Sequence, residues 1–343
     1  MKIRLPAEWE PQSAVMLTWP HPATDWQLWL HDVEPVYVEI TRQISRYEKI
    51  IIACHDSDHK HHVEVLLLQQ DIPDEQFRLY IAPSNDSWAR DHGPITVMVN
   101  DKPELLDFIF NGWGNKYPAE LDNQISFTLY KAGAFGKTPC KTIKFVLEGG
   151  SIETDGEGTL LTTTSCLLSD QRNRGMVKSE IESRLIDYLG VDRIIWFHHG
   201  QLLGDDTDGH IDTLIRFSDS ETILYVASDD RNNPNFESLK RMSKELHGLK
   251  QKNGKPYRLV PLPSPAIKNN NDDYLPASYA NFLVINNAVL VPTYGVESDE
   301  QIINIFSECF VDRRVIAINC RPLIEQYGSL HCITMHLPEE VVS

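Results

Sequence analysis

Short apolar runs interrupted by turn residues recur along the chain, and four pairs of them read as strand, tight turn, strand. The first enters from Arg90-Asp91-His92-Gly93-Pro94 into Ile95-Thr96-Val97-Met98-Val99 and turns at Asn100-Asp101-Lys102-Pro103. The second begins at Glu148-Gly149-Gly150-Ser151-Ile152-Glu153 and turns at Asp155-Gly156-Glu157-Gly158 into Thr159-Leu160-Leu161-Thr162. The third runs from Gly209-His210-Ile211-Asp212 through Leu214-Ile215-Arg216-Phe217, and returns through Thr222-Ile223-Leu224-Tyr225-Val226. The fourth joins Tyr279 to Ile285 with Ala288 to Pro292 across Asn286-Asn287, a dipeptide suited to a two-residue hairpin loop. In each case a polar motif leads into the hairpin.

Between the hairpins the period changes. Ile181, Leu185, Tyr188 and Leu189 recur at helical spacing, so Met176 to Leu189 presents one apolar face to a sheet before the strand Arg193 to Phe197. Asn235 to Leu246 precedes Tyr257 to Val260, Asp299 to Phe310 precedes Val315 to Ile318, and Val33 to Tyr47 precedes Ile50 to Ala53 in the same manner. The repeating unit is ββαβ, and such a unit buries its apolar face only by packing on its neighbours. A fifth hairpin can be assembled from the two ends, with Ala14 to Trp19 beside Cys332 to His336. That pairing closes a ring, brings Cys332 level with the polar motifs, and makes residues 1-343 one circular α/β domain rather than two.

Composition narrows the class. The 343 residues have the apolar content of a folded globular protein, and no segment approaches the unbroken apolar run of a membrane helix. The first residues, Met1 to Pro11, lack the apolar stretch of a signal peptide, so the expected compartment is the cytoplasm. Six scattered cysteines without a Cys-x-x-Cys pair suit neither a disulfide framework nor a structural zinc site. A formal charge of -17 argues against a nucleic-acid surface and is compatible with a small cationic ligand. Such a balance also serves solubility alone. No pattern in the sequence defines an exposed edge or apolar patch, so a homo-oligomer is left open.

The candidate chemistry lies in the polar motifs. Read as an extended strand, Asp208-Gly209-His210-Ile211-Asp212 puts His210 and Asp212 on one face, a base beside an anion; a solvated strand is the bland alternative. Glu148 precedes two glycines that could simply make a bend. Trp88-Ala89-Arg90-Asp91-His92-Gly93-Pro94 crowds an aromatic ring and an ion pair into a turn, where Arg90 could equally bridge Asp91 or Glu148 to hold the scaffold. Trp113 could wall a pocket for a cation or could be packing. Cys332, after His331, is the candidate nucleophile that these acidic groups would complete.

Together Trp88 to Pro94, Glu148-Gly149-Gly150, Thr207-Asp208-Gly209-His210-Ile211-Asp212, Tyr279-Ala280-Asn281-Phe282 and Leu330-His331-Cys332-Ile333-Thr334 closely resemble the agmatine deiminase and bacterial peptidylarginine deiminase-like family of guanidino-group modifying enzymes. The resemblance runs from Pro6 to Pro338. It implies a five-bladed pseudo-symmetric α/β-propeller, Cys332 as nucleophile, His210 as general acid/base, and Asp91, Glu148 and Asp212 as carboxylates around the guanidinium; Trp88 and Trp113 join them as candidate substrate-binding residues from their own motifs. Carboxylates accept the N–H fork of a guanidinium in pairs, and the sulfur adds to its central carbon to give an amidino-cysteine. No metal or organic cofactor is required. The carboxylates should raise the thiol pKa in the empty enzyme, so that the substrate's charge helps to form the thiolate.

Agmatine fits an acidic chain without an export signal, and polyamine synthesis through N-carbamoylputrescine would follow. Free or peptidyl arginine is the alternative, since Tyr327-Gly328-Ser329-Leu330 stands where many agmatine deiminases carry a glycine triplet. Two rivals from other classes are a metal-dependent hydrolase using Asp206, Asp208, His210 and Asp212, with His198 and His199 nearby, and a non-catalytic binding propeller. The polar loop Lys268 to Tyr274 is a candidate lid.

Overall fold

The computed structural model describes residues 2–342. Its strands form several small sheets of two to four members, and among the described residues no sheet closes on itself. Five of these sheets share one construction, an antiparallel pair followed by a helix and a strand that returns parallel to the second member of the pair. Ile95–Val99 pairs antiparallel with Lys102–Ile109, the helix Asp122–Lys131 follows, and Cys140–Val146 lies parallel to the second strand. Glu153–Thr154, Thr159–Thr163, the helix Lys178–Leu189 and Arg193–Phe197 repeat that order. The two ends of the chain supply the remaining pair, Gln12–Thr18 antiparallel to Thr334–Pro338, with Leu17 opposite Thr334.

Local chemistry accounts for these elements. Asn100 and Asp101 form the two-residue turn between Val99 and Lys102 with φ of 50° and 62°, the double left-handed conformation that matches strand twist and that Asn and Asp tolerate. The helix Lys178–Leu189 buries Ile181, Leu185 and Leu189, three positions on one helical face, and stops at Gly190 with φ 66°. A Cβ at Gly190 would lie 2.1 Å from the Ile3 carbonyl oxygen, so the stop also admits the N-terminal strand.

Three polar motifs expected at strand starts instead form short helical turns just before them. Ala89–His92 precedes Ile95–Val99, Gly149–Ser151 precedes Glu153–Thr154, and Ile211–Thr213 precedes Ile215–Asp219. A single helical turn points consecutive side chains around an axis rather than to alternate faces, and so concentrates polar groups at one level. His210 and Asp212 therefore do not share the face of an extended strand: Asp208 and Gly209 have φ of 69° and 84°, and His210 starts the turn. The loop proposed as a lid is a two-stranded hairpin, Ile267–Lys268 against Tyr274–Leu275. No described helix is long and apolar enough to cross a membrane.

Candidate active site

The turns deliver their side chains to one buried region. Cys332 is 7% exposed and follows a loop held by Asn281, whose Oδ1 accepts from the backbone N–H of His331 at 2.9 Å and of Cys332 at 3.3 Å, and lies 3.4 Å from the Cys332 Sγ. His331 is fixed at both ring nitrogens, Nδ1 at 2.8 Å from Asp212 Oδ2 and Nε2 at 2.7 Å from Glu8 Oε2. Asp91 Oδ2 accepts from Trp113 Nε1 at 2.9 Å, and its Oδ1 accepts from the Gly150 N–H at 3.0 Å and lies 3.5 Å from His210 Nδ1.

The two glycines after Glu148 lie in a short helical turn and also leave room that side chains would fill. A Cβ at Gly150 would stand 2.6 Å from His210 Nδ1 and 2.8 Å from Asp91 Oδ1, and one at Gly149 would meet the Arg90 carbonyl oxygen at 2.2 Å. They are the space into which the other motifs pack. Trp113 adopts φ 53°, a costly conformation for a bulky residue, and in it the indole N–H meets Asp91. Trp88 packs against Trp26 at 5.5 Å and covers Gly328, where a Cβ would lie 2.0 Å from the indole ring.

Glu148 is fully buried and its carboxylate is taken by Arg172 Nε at 2.8 and 3.1 Å; Arg172 also reaches Asp208 Oδ2 at 2.7 Å and the Thr207 carbonyl at 2.8 Å. Arg90 pairs with neither Asp91 nor Glu148 but faces Glu8 at 3.6 Å and donates to His336 Nδ1 at 3.0 Å. A Glu148 oxygen, the Cys166 sulfur and a His210 ring nitrogen lie within 4.8 Å of one another. The acids of the metal-hydrolase alternative go to separate partners: Asp206 accepts from Tyr117, Asp208 from Arg172 and Lys116, and Asp212 engages His331.

Burial dominates the electrostatics. It pushes the Cys332 thiol well above its ordinary range, with Asp212 and Asp91 adding to the effect. It holds the His210 imidazole well below the usual histidine range, Arg172 and Lys116 contributing. It raises Asp91 to about 7, against the hydrogen bond from Trp113 and with help from Glu148, and it raises Asp212 strongly.

Cys332 opens onto a narrow cleft walled by Trp88, Trp113, Tyr117 and Tyr327. Asp25, Asp86, Asp91, Asp205 and Asp206 line it, and the lining includes no Lys, Arg or His. Burial raises Asp86 and Asp206 to about 6 each. Of the residues expected from the sequence, Cys332, Asp91, Trp88 and Trp113 line this cleft; His210, Asp212 and Glu148 are buried and outside its lining. Lys268 to Tyr274 does not line it. Sequence reasoning missed Asp25, Asp86, Arg172 and Glu8. Only Asn281 and His331 carried a signal, lying within motifs that had drawn notice for their neighbours.

The profile of the Porphyromonas-type peptidyl-arginine deiminase family matches residues 4–338. An agmatine deiminase of Pseudomonas syringae pv. tomato is 32% identical, over 97% of this chain and 95% of that protein. Among solved structures, a Porphyromonas gingivalis protein with a provisional arginine deiminase name is 46% identical with a TM-score of 0.93, covering 100% of both chains. A cysteine-to-serine form of C. jejuni agmatine deiminase with substrate bound is 35% identical with a TM-score of 0.90, covering 98% of this chain and 96% of that one.

Proposed function

The chain belongs to the Porphyromonas-type peptidyl-arginine deiminase family, and from that premise we propose that it hydrolyses guanidinium C–N bonds, converting agmatine and water to N-carbamoylputrescine and ammonia. The carrying observation is the cleft in front of Cys332, which has five aspartates and no basic side chain in its lining. Such a lining suits a ligand that is cationic at both ends. The carboxylate of free arginine would meet Asp25, Asp86 and Asp206 with no basic partner, an unfavourable approach of like charges. The agmatine deiminase relatives support the same reading.

In this reading Asp91 and Asp212 take the guanidinium N–H groups and expose the central carbon to Cys332. His210, kept neutral by burial, accepts the thiol proton as the C–S bond forms and returns it to the departing nitrogen as a C–N bond breaks. Ammonia leaves and an amidino-cysteine remains. Water then gives one proton to His210 and adds to the same carbon as hydroxide; the C–S bond breaks as the carbonyl forms, the His210 proton returns to sulfur, and the hydroxyl proton leaves to solvent, where the released ammonia takes it up as ammonium. Glu148, held by Arg172 close to His210, acts on the imidazole from behind rather than as a wall of the cleft. The five ββαβ sheets are read as blades of one pseudo-symmetric α/β-propeller domain, closed where Thr334–Pro338 meets Gln12–Thr18.

Ammonia release from agmatine, free arginine and a blocked peptidyl arginine, compared at equal concentration, tests the assignment. Agmatine is expected to have the highest kcat/KM, and Cys332→Ser to abolish release from all three. A preference for either arginine substrate overturns the agmatine reading, and activity retained in Cys332→Ser overturns the mechanism.

A further inference from the structure

His331 carries a proton-counting constraint that the proposed reaction does not use. Its Nδ1 lies 2.8 Å from Asp212 Oδ2 and its Nε2 lies 2.7 Å from Glu8 Oε2, with all three side chains buried. A neutral imidazole has one N–H and one lone pair, and a lone pair does not sit that close to a carboxylate oxygen without a proton between them. Two protons must therefore be distributed over the three groups. Either His331 is an imidazolium between two carboxylates, or it is neutral between one carboxylate and one carboxylic acid. Both arrangements carry a net charge of -1, and they differ by one proton moved across a single hydrogen bond.

The surroundings decide which acid carries the proton in the empty site. Glu8 faces Arg216 Nη2 at 3.0 Å and Arg90 Nη2 at 3.6 Å, with His336 Nδ1 at 3.7 Å, so it is the anion. Those guanidiniums hold it well below the usual carboxylate range despite the cost of burial. Arg313 adds positive charge on the Glu8 side, while Glu48 and Glu153 add negative. Asp212 is fully buried near Asp91 and the Cys332 thiol, and its Oδ1 has no hydrogen-bond partner. Arg216 and Arg90 favour its ionisation without overcoming burial. A cation arriving beside Asp212 reverses that balance.

We propose that Glu8 and His331 are positioning residues that orient Asp212 and let it ionise against an incoming guanidinium by passing its proton to His331. The Asp212 O–H bond breaks, an N–H bond forms at His331 Nδ1, and Glu8 holds the resulting imidazolium through Nε2–H. No proton leaves for solvent, so this carboxylate contributes no pH dependence to cation binding. The inference rests on Asp212 acting as a guanidinium carboxylate.

The test is the pH dependence of agmatine and methylguanidinium dissociation constants, measured by calorimetry in the full chain carrying Cys332→Ala, so that thiol ionisation does not contribute. Glu8→Gln and His331→Asn are compared with that parent, with circular dichroism reporting the fold. His331→Asn removes the acceptor of the Asp212 proton, and Glu8→Gln leaves a buried imidazolium without the anion that holds it, so in either variant binding expels the proton. The dissociation constant should then fall about tenfold more per pH unit than in the parent below the Asp212 pKa, and Glu8→Asp should restore the parent slope. A merely structural role shifts affinity by the same factor at every pH, and a parent slope in whichever variant is folded overturns the proposal. Deimination by the unmodified chain is measured alongside. Absence of ammonia release with the expected slopes would sink the functional reading and leave the proton relay standing.

Discussion

At the level of single residues, the site is built from groups whose ordinary chemistry is suppressed by burial. The Cys332 thiol is pushed upward first by loss of solvent and then by Asp212 and Asp91, so an empty enzyme holds little thiolate at neutral pH. A bound guanidinium opposes both carboxylates. Alkylation of Cys332 by iodoacetamide should therefore still be accelerating past about pH 9 without ligand, and its profile should move to lower pH with methylguanidinium, which is too small to shield the sulfur. Mass spectrometry of the Cys332 peptide reads this directly. A low apparent pKa in the empty enzyme would refute substrate-assisted ionisation. Cys332, Asp91 and His210 could be picked out from the chain because each sits in a compact polar motif. Asp25 and Asp86 could not, because one is a lone aspartate opening a short 3-10 turn and the other a lone aspartate in a loop, and their approach to Cys332 depends on how Trp26 and Trp88 pack. Nor could the role of Gly150, whose missing Cβ matters only once His210 and Asp91 are 3.5 Å apart.

At the level of elements, helix faces and hairpin turns followed from periodicity, and the polar motifs did not. Ile181, Leu185 and Leu189 are buried as their spacing requires, and Asn100-Asp101 turns as those residues favour. A motif such as His210-Ile211-Asp212 is too short to show a period, so an alternating strand and a helical turn were equally compatible with it. The structure chooses the turn because Asp208 and Gly209 take left-handed conformations ahead of it, and Asp205 Oδ2 accepts the Gly209 N–H at 2.6 Å. The helices between the strands pack through their buried faces. In Ser298–Cys309, Ile302 and Phe306 are fully buried. Ile302→Ala should accordingly lower the unfolding free energy by about 2–5 kcal/mol, as measured by urea denaturation. Leu28, 80% exposed, serves as the control, and its change to alanine should fall within about 0.5 kcal/mol of the parent. Equal effects of the two would mean that the helix face does not carry the packing assigned to it.

At the level of the whole molecule, the formal charge of -17 gains a direction that the sequence did not supply. Composition alone left solubility and cation attraction undivided, because it does not say where the acids lie. Five aspartates converge on the cleft at Cys332, while Lys116 and Arg172 are committed to Asp208 and Glu148 behind it. A cation approaching the mouth moves down a potential reinforced by the general negative charge, and that attraction is screened over about 10 Å at 0.1 M salt and about 3 Å at 1 M. Asp91 and Asp212, the groups proposed to meet the guanidinium at the sulfur, are buried and screened far less. Salt should thus separate approach from chemistry: between about 0.02 and about 0.5 M sodium chloride, kcat/KM for agmatine should fall severalfold while kcat stays nearly constant. Asp86→Asn should lower kcat/KM at low salt and flatten its salt dependence, because it removes one charge from the mouth without touching the Cys332 thiol. A salt effect confined to kcat would place the sensitivity in the buried Asp91, His210 and Cys332 groups instead, and would make the acidic mouth irrelevant to capture.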